Sequence, residues 1–428
     1  MLIVLCLLST CFIQLSIGAP SRREDGSGIK LNEGEVLFEG DIILTKEQAA
    51  ALKESPRTKR QVELNRERWP NDTLYYFYDA NMADIHIQYM EAAFEYISSR
   101  TCIRYIKNET APYKLRVLSD GGCASYIGWR YYEQKFWFGS GCLVLGTAVH
   151  ELMHALGIEH ELSRYDRDQY LNVDASNVGA DLAHNLEKLS TANSYNPTPF
   201  EYGSTMLYAF DALGTGTIGT KDMDFRITMG NRKVTFYDMA KVNEYYRCSR
   251  KCSTQLECKN GGYTNPANCN VCNCPRGFEG ALCDQLPTEK VTIEATSSWL
   301  SQYVEYGDTQ GKTLVHPYYM YVVITAPVGK TIEIKLTKLE KFDCDDGCKW
   351  NGVEIKYHGD PRITNPLFCC DNLLNRTRIY KSKRNPAIIE LFSTYGPNKV
   401  TYEYRYIDED FTKGKKTTNG YDCFEYYE

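Results

Sequence analysis

The chain has 428 residues, 24% of them charged, and a formal net charge of −6 at pH 7. That length suits two or three domains. The mildly acidic balance, with no long basic stripe, argues against nucleic acid as a partner.

Residues 1–19 carry apolar runs from Leu2 to Leu8 and from Cys11 to Ile17, then small residues that suit cleavage before Ala19 or Pro20. The run is short for a bilayer span and no second one follows. This pattern predicts a signal peptide, a secreted, extracellular product and no membrane anchor. Of the 17 cysteines, Cys6 and Cys11 leave with the signal, and the other 15 are spaced for bridges. Asn71, Asn108 and Asn375 each open an N-x-T sequon, the acceptor pattern for glycosylation on a secretory route.

Residues 20–60 are charged and short of a core. They end in Arg57-Thr58-Lys59-Arg60, which reads as a processing site for a proprotein convertase or another trypsin-like protease. The segment is therefore expected to be a propeptide.

Residues 61–248 read as one unit mixing strands and helices. Leu74 to Tyr78 and Lys114 to Leu118 have strand composition. Ile85 to Ser98 has helical spacing, with Ile85, Tyr89, Ala93 and Tyr96 near one side. Val144 to Leu156 is a second helix, whose Leu145, Val149, Leu152 and Leu156 should face a core. The glycines at 214, 216 and 219 suggest an open loop.

His150 to His160 reads H-E-x-x-H-x-x-G-x-x-H. On a helix His150 and His154 are four apart and project from one face. Glu151 stands beside the first ligand, where it can serve a metal-bound water as general base. Gly157 can take the left-handed backbone that turns the chain, so that His160 returns to the same ion. Chance assembly of the five fixed positions is on the order of one in 10^5 from average residue usage.

Residues 249–284 hold six cysteines, too dense a spacing for a segment with a core of its own. Residues 287–407 carry short alternating stretches, including Tyr319 to Thr325, Thr331 to Leu336, Gly352 to Tyr357, Ala387 to Phe392 and Val400 to Tyr406. They predict an all-β sandwich. Residues 408–428 form an acidic, tyrosine-rich tail.

The histidine motif, the following Arg164-Tyr165-Asp166-Arg167-Asp168 and the Met-turn stretch Ser204-Thr205-Met206-Leu207-Tyr208 closely resemble the astacin zinc metalloproteases. Cys258-Lys259-Asn260-Gly261-Gly262 and Cys274-Pro275-Arg276-Gly277-Phe278 resemble an EGF-like module, and Gly352-Val353-Glu354-Ile355 with Leu391-Phe392-Ser393 is similar to a CUB domain. The order protease, EGF, CUB resembles nematode astacins.

The resemblance implies a multidomain chain: an α+β metzincin catalytic domain, a disulfide-rich EGF-like module and an all-β CUB sandwich. It implies an endopeptidase holding one Zn2+ through His150, His154 and His160, with Glu151 as general base. Tyr208 would ligate zinc in the resting enzyme and support the oxyanion, and Met206 would floor the metal. Phe38-Glu39-Gly40-Asp41 matches a pro-region segment whose aspartate silences the zymogen on the metal, with Gly40 letting the backbone approach closely. The resemblance pairs Cys102 with Cys248, Cys123 with Cys142, Cys252 with Cys269, Cys258 with Cys272 and Cys274 with Cys283. It gives Glu161 to the amino terminus freed after Arg60. Extracellular proteins would be substrates, and matrix partners would bind through the EGF-like and CUB modules.

Some positions depart from the pattern. Ile158 replaces an aromatic residue and Leu207 a common His. Position 61 is Gln, which can cyclise to a neutral ring and remove the ammonium meant for Glu161. Five cysteines in the last region leave one over, and Asn351 stands where calcium-binding CUB domains often have Asp, so no calcium is expected there.

Overall fold

The computed structural model describes residues 28–54, 67–178, 183–191, 194–210, 212–214, 216–310 and 312–408. The signal segment, Arg57 to Arg60, Gln61 and Cys423 lie outside the described residues. Among the described residues no helix is long and apolar enough to cross a membrane.

A seven-stranded sheet carries the first half. Its strands are β1 (Val36–Phe38), β2 (Ile42–Leu44), β3 (Thr73–Tyr78), β4 (Arg104–Lys107), β5 (Lys114–Leu118), β6 (Cys123–Tyr126) and β7 (Glu133–Phe138), in the spatial order β1-β2-β6-β7-β5-β3-β4. Alternation sets the faces: Leu115 and Val117 of β5 are buried while their neighbours are half-exposed. Four helices accompany the sheet, α1 (Lys46–Glu54), α2 (Asp84–Ser98), α3 (Leu145–Ala155) and α4 (Phe236–Tyr246).

Helix α2 turns Tyr89 and Ala93 of the expected face inward, but not Ile85. Its buried residues include Tyr89, Met90, Ala93, Phe94 and Ile97, whereas Ile85 is 42% exposed. Ile85 lies in the first turn, where His86 faces inward with its ring against Phe138 of β7, and Met90, Phe94 and Ile97 extend the contact. Together with Ala148, Val149 and Leu152 of α3 they pack on Leu74, Leu115, Val117 and Phe136. Each such side chain contributes about 1.5–3 kcal/mol on burial.

Residues 28–54 are more structured than their charge suggests. Strand β2 joins β6 in parallel, and Phe38, Ile42, Leu44 and Ala49 form a small core with Ile127. These residues find their core in the following domain, so composition alone could not reveal it. The glycine-rich loop is also partly ordered, since Ile218–Thr220 pairs with Leu171–Val173 over a second core containing Leu162, Phe200 and Leu207.

Cys102 is bonded to Cys248, and Cys123 to Cys142. The six cysteines of the next segment join as Cys252–Cys269, Cys258–Cys272 and Cys274–Cys283 around one two-stranded pairing. The last region is a sandwich of five-stranded and four-stranded sheets over a core including Val322, Ile334, Ile389 and Val400. Beyond the expected stretches it holds Lys290–Glu294 and Leu300–Tyr306, edge strands that bury little, and the two-residue strands Leu367–Phe368 and Tyr380–Lys381. Asp408 belongs to the last strand rather than the tail, paired with Lys330. Cys344–Cys370 and Cys348–Cys369 close this region.

The sandwich docks on the peptidase half through buried charge. Lys233 Nζ donates to Glu354 Oε2 at 2.5 Å and Glu390 Oε1 at 2.8 Å, and Lys356 lies 3.1 Å and 3.2 Å from the same two carboxylates. Gly347 N donates to Ile227 O, and Leu367 N to Thr228 Oγ1. All four charged side chains are at most 8% exposed. Removing one member of such a cluster strands charge in a dry interface. Lys233→Met should therefore lower stability by about 3–5 kcal/mol in denaturant unfolding, and Glu390→Leu in the same chain should recover part of the loss.

Candidate metal centre

Helix α3 begins after Val144 and is buried on every side. Gly146 permits its approach to the following segment: a Cβ there would lie 1.7 Å from Arg232 O. The helix ends in a Schellman turn. Gly157 has φ of +95°, Gly157 N donates to His154 O at 2.8 Å, and Ile158 N donates to Met153 O at 2.9 Å. The turn redirects the chain so that His160 faces back to α3. Ile158 is 4% exposed in the main core, so the missing aromatic ring leaves its packing intact.

Each imidazole is fixed by its Nδ1. His150 Nδ1 bonds Thr205 O at 2.7 Å, His154 Nδ1 bonds Ile158 O at 2.8 Å, and His160 Nδ1 bonds Glu39 Oε2 at 2.8 Å. A carbonyl or carboxylate can only accept, so each Nδ1 carries the proton and each Nε2 presents a lone pair. Those lone pairs converge. His154 Nε2 lies 3.1 Å from both His150 Nε2 and His160 Nε2. Asp41 Oδ2 lies 3.0 Å from His150 Nε2, and Asp41 Oδ1 lies 3.6 Å and 3.3 Å from the other two.

Four acceptors cannot hold one another together, and Asp41 Oδ1 is buried with no hydrogen-bond donor. A divalent cation satisfies all of them. Ligands about 2.0–2.1 Å from a tetrahedral zinc are about 3.3 Å apart, close to the spacings found. The three histidines and Asp41 are the one such metal-holding cluster among the described residues.

Charge agrees with this chemistry. Burial pushes the His150 ring down to about 3 and lowers His154, keeping both neutral for metal binding. Burial opposes charge on His160 as well, but the Asp41 and Glu39 carboxylates raise that ring to about 9. A cation in the centre takes the place of that proton. Burial would raise the Asp41 carboxyl, yet positive charge placed among the three rings, on His160 above all, holds it well below the usual carboxylate range.

Residues 38–41 reach the centre along the sheet edge. Ser125 N donates to Asp41 O at 2.9 Å, and Glu39 and Gly40 have φ of 50° and +84°. Gly40 is thus needed for its backbone angle and not for close approach, because a Cβ there would meet nothing within 4 Å. Glu39 N donates to Asn185 Oδ1 at 3.0 Å, and Ser163 Oγ donates to Glu39 Oε1 at 2.7 Å.

Glu151 is 1% exposed beside His150. Tyr208 stands outside the cluster: its hydroxyl donates to Glu39 O, and its ring packs 4.6 Å from that of His160. Burial and the nearby carboxylates of Glu39, Asp41 and Glu151 raise the phenol well above its ordinary range. Met206 is fully buried, and its carbonyl accepts from Glu161 N at 2.8 Å. Glu161 pairs with Lys241 and Arg164. Lys241 and Glu39 escaped sequence reasoning, because neither lies in a spacing that signals contact with the histidine segment. Asn108 and Asn375 each accept from their own sequon threonine, in exposed loops, while Thr73 of the Asn71 sequon is buried.

The family model for astacin, a peptidase family, matches residues 61–247. The chain is 43% identical over 426 residues to zinc metalloproteinase nas-17 of Caenorhabditis elegans, covering 98% of each chain. It is 41% identical to zinc metalloproteinase nas-16 of the same organism, covering 87% of this chain and 86% of that one. Among solved structures, the hatching enzyme high choriolytic enzyme 1 of Oryzias latipes is 27% identical with a TM-score of 0.39, covering 42% of this chain and 94% of its own. With three histidines ready for one zinc ion and a relative matched along nearly its whole length, the chain belongs to the astacin family and is a zinc metalloendopeptidase.

Proposed function

We propose that the chain is a secreted zymogen whose peptidase acts on extracellular proteins and is silenced by Asp41. The observation that carries this reading is the Asp41 carboxylate set among the three Nε2 atoms, 3.0 Å from His150. An open metal position is what a hydrolytic site needs, and a carboxylate there excludes water. Strand β2 also fills the edge of β6, so the pro-region covers backbone groups that an extended substrate would need.

On this reading residues 1–19 are the signal, 20–60 the propeptide and 61–248 the peptidase domain. Residues 249–284 are an EGF-like module, supported by two interlaced disulfides and a third that follows them. Residues 287–407 are a CUB domain, supported by the two-sheet sandwich. Seven disulfides among the described residues suit an oxidising compartment. Glycans at Asn71, Asn108 and Asn375, an activating convertase or trypsin-like protease, and matrix partners for the last two modules complete the proposal.

Zinc, when bound by His150, His154 and His160, supplies Lewis acidity for peptide hydrolysis. Glu151 accepts a proton from the attacking water and passes it to the leaving amine nitrogen. Cutting after Arg60 removes Asp41 and Glu39. Tyr208 then loses its carbonyl partner, and its hydroxyl becomes available to donate to the oxyanion.

Two measurements test this. Glu151→Ala in processed material should lower peptide hydrolysis by about 10²–10⁴ while one zinc per chain remains by elemental analysis. Full residual activity would exclude the proposed base. In the unprocessed chain, with Arg60→Ala to block cleavage, Asp41→Ala should raise hydrolysis of a quenched peptide by about tenfold or more. A chain that stays silent would show that Asp41 does not hold latency.

A further inference from the structure

Glu161 follows the third histidine and is 1% exposed. The cation beside it belongs to the folded domain. Lys241 of α4, 5% exposed, donates from Nζ to Glu161 Oε1. Arg164 is a weaker partner: its Nε and Nη2 each bond Asp166 at 2.8 Å, leaving a 3.3 Å contact to Glu161 Oε2.

One turn earlier on α4, Asp238 accepts from Ser204 Oγ at 2.5 Å and from Thr205 N at 3.1 Å. Thr205 O is the partner of His150 Nδ1. The backbone closes the loop, since Glu161 N donates to Met206 O. Helix α4 therefore grips both segments that carry the centre. Asp238 holds the one behind His150, and Lys241 holds the one after His160.

We propose that Lys241 is the positioning cation of the metal site, holding Glu161 and the His160 segment in place whatever charge the processed amino terminus carries. Burial raises the Asp238 carboxyl above its ordinary range, and the bonds from Ser204 and Thr235 and the charge of Lys241 oppose that rise. Without that lysine, two buried carboxylates would share a region whose remaining cation is committed to Asp166. The adjoining cavity, bounded by Gly157, Arg164, Asn196, Lys241 and Tyr245, has a volume of 10 Å³, room for a single water at most. Lys241 takes Oε1 of Glu161 while Oε2 accepts no hydrogen bond, so an added ammonium would join Lys241 and not replace it. Gln61 gives this consequence, because cyclisation makes the new terminus neutral, while a lysine ammonium survives it. The inference goes beyond the zymogen reading, since it concerns the enzyme after processing.

The test uses processed enzyme whose start at Gln61 is verified by mass spectrometry, with and without glutaminyl cyclase treatment. Wild type, Lys241→Arg and Lys241→Met are compared for kcat, KM and zinc content on one quenched peptide. Wild type should change by less than about twofold on cyclisation, and Lys241→Arg should behave alike. Lys241→Met should lose kcat by about tenfold with a free amine, and by about tenfold more once cyclised, because a charged hydrogen bond is then lost altogether. A tenfold fall of the wild type on cyclisation would overturn the proposal, and that comparison needs no variant to fold. Equal activity of Lys241→Met and wild type in both forms would also overturn it. So would an equal loss in both forms, which marks a lysine that serves the fold alone.

Discussion

Three Nδ1–H bonds fix everything else at this centre. Two run to backbone carbonyls and one to the Glu39 carboxylate, and together they choose the tautomer of every ligand. Once chosen, three lone pairs face one point in a site almost closed to water. Such an arrangement is electrostatically unfavourable until a cation arrives. The chain around it is organised to hold that tension, with a fully buried helix, a Schellman turn and a buried methionine beneath.

The turn at residues 39–41 enters the same electrostatic frame. Asp41 brings negative charge to the converging nitrogens, while Glu39 takes the proton-bearing side of His160 and, through its carbonyl, the Tyr208 hydroxyl. The two residues act on opposite edges of one ring. Positive backbone angles at Glu39 and Gly40 let adjacent side chains reach both edges. One short turn thus brings a carboxylate to each edge of the His160 ring.

The supports behind the site are ionic and buried. Lys241 and Asp238 of α4 fasten the two ligand-bearing segments, and Lys233 carries the sandwich through Glu354 and Glu390. Lys233 follows Arg232, whose Nη1 donates to Thr205 O at 3.0 Å. The sandwich therefore anchors a segment that touches the partner of His150. Buried ion pairs of this kind stabilise less than their Coulomb energy suggests, but they specify one arrangement and penalise its loss.

Much was legible in the sequence because it was local. His150, His154, Gly157 and His160 lie within eleven residues, and helix geometry with one left-handed glycine is enough to converge them. The strands at 74–78 and 114–118 and the sandwich class came from alternation. Failures fell where burial depends on a distant partner. Ile85 has helical spacing but His86 takes the inward place in that turn, and Phe38, Ile42 and Leu44 find their core only against Ile127. Lys241 meets Glu161 across 80 residues, and Lys233 meets Glu354 across 121. The sequence by itself determined the ligand set, the metal chemistry and the order of the segments, since residue type and short spacing carry them. Tertiary structure alone decided which charges meet, because that depends on how separate segments pack and exclude water.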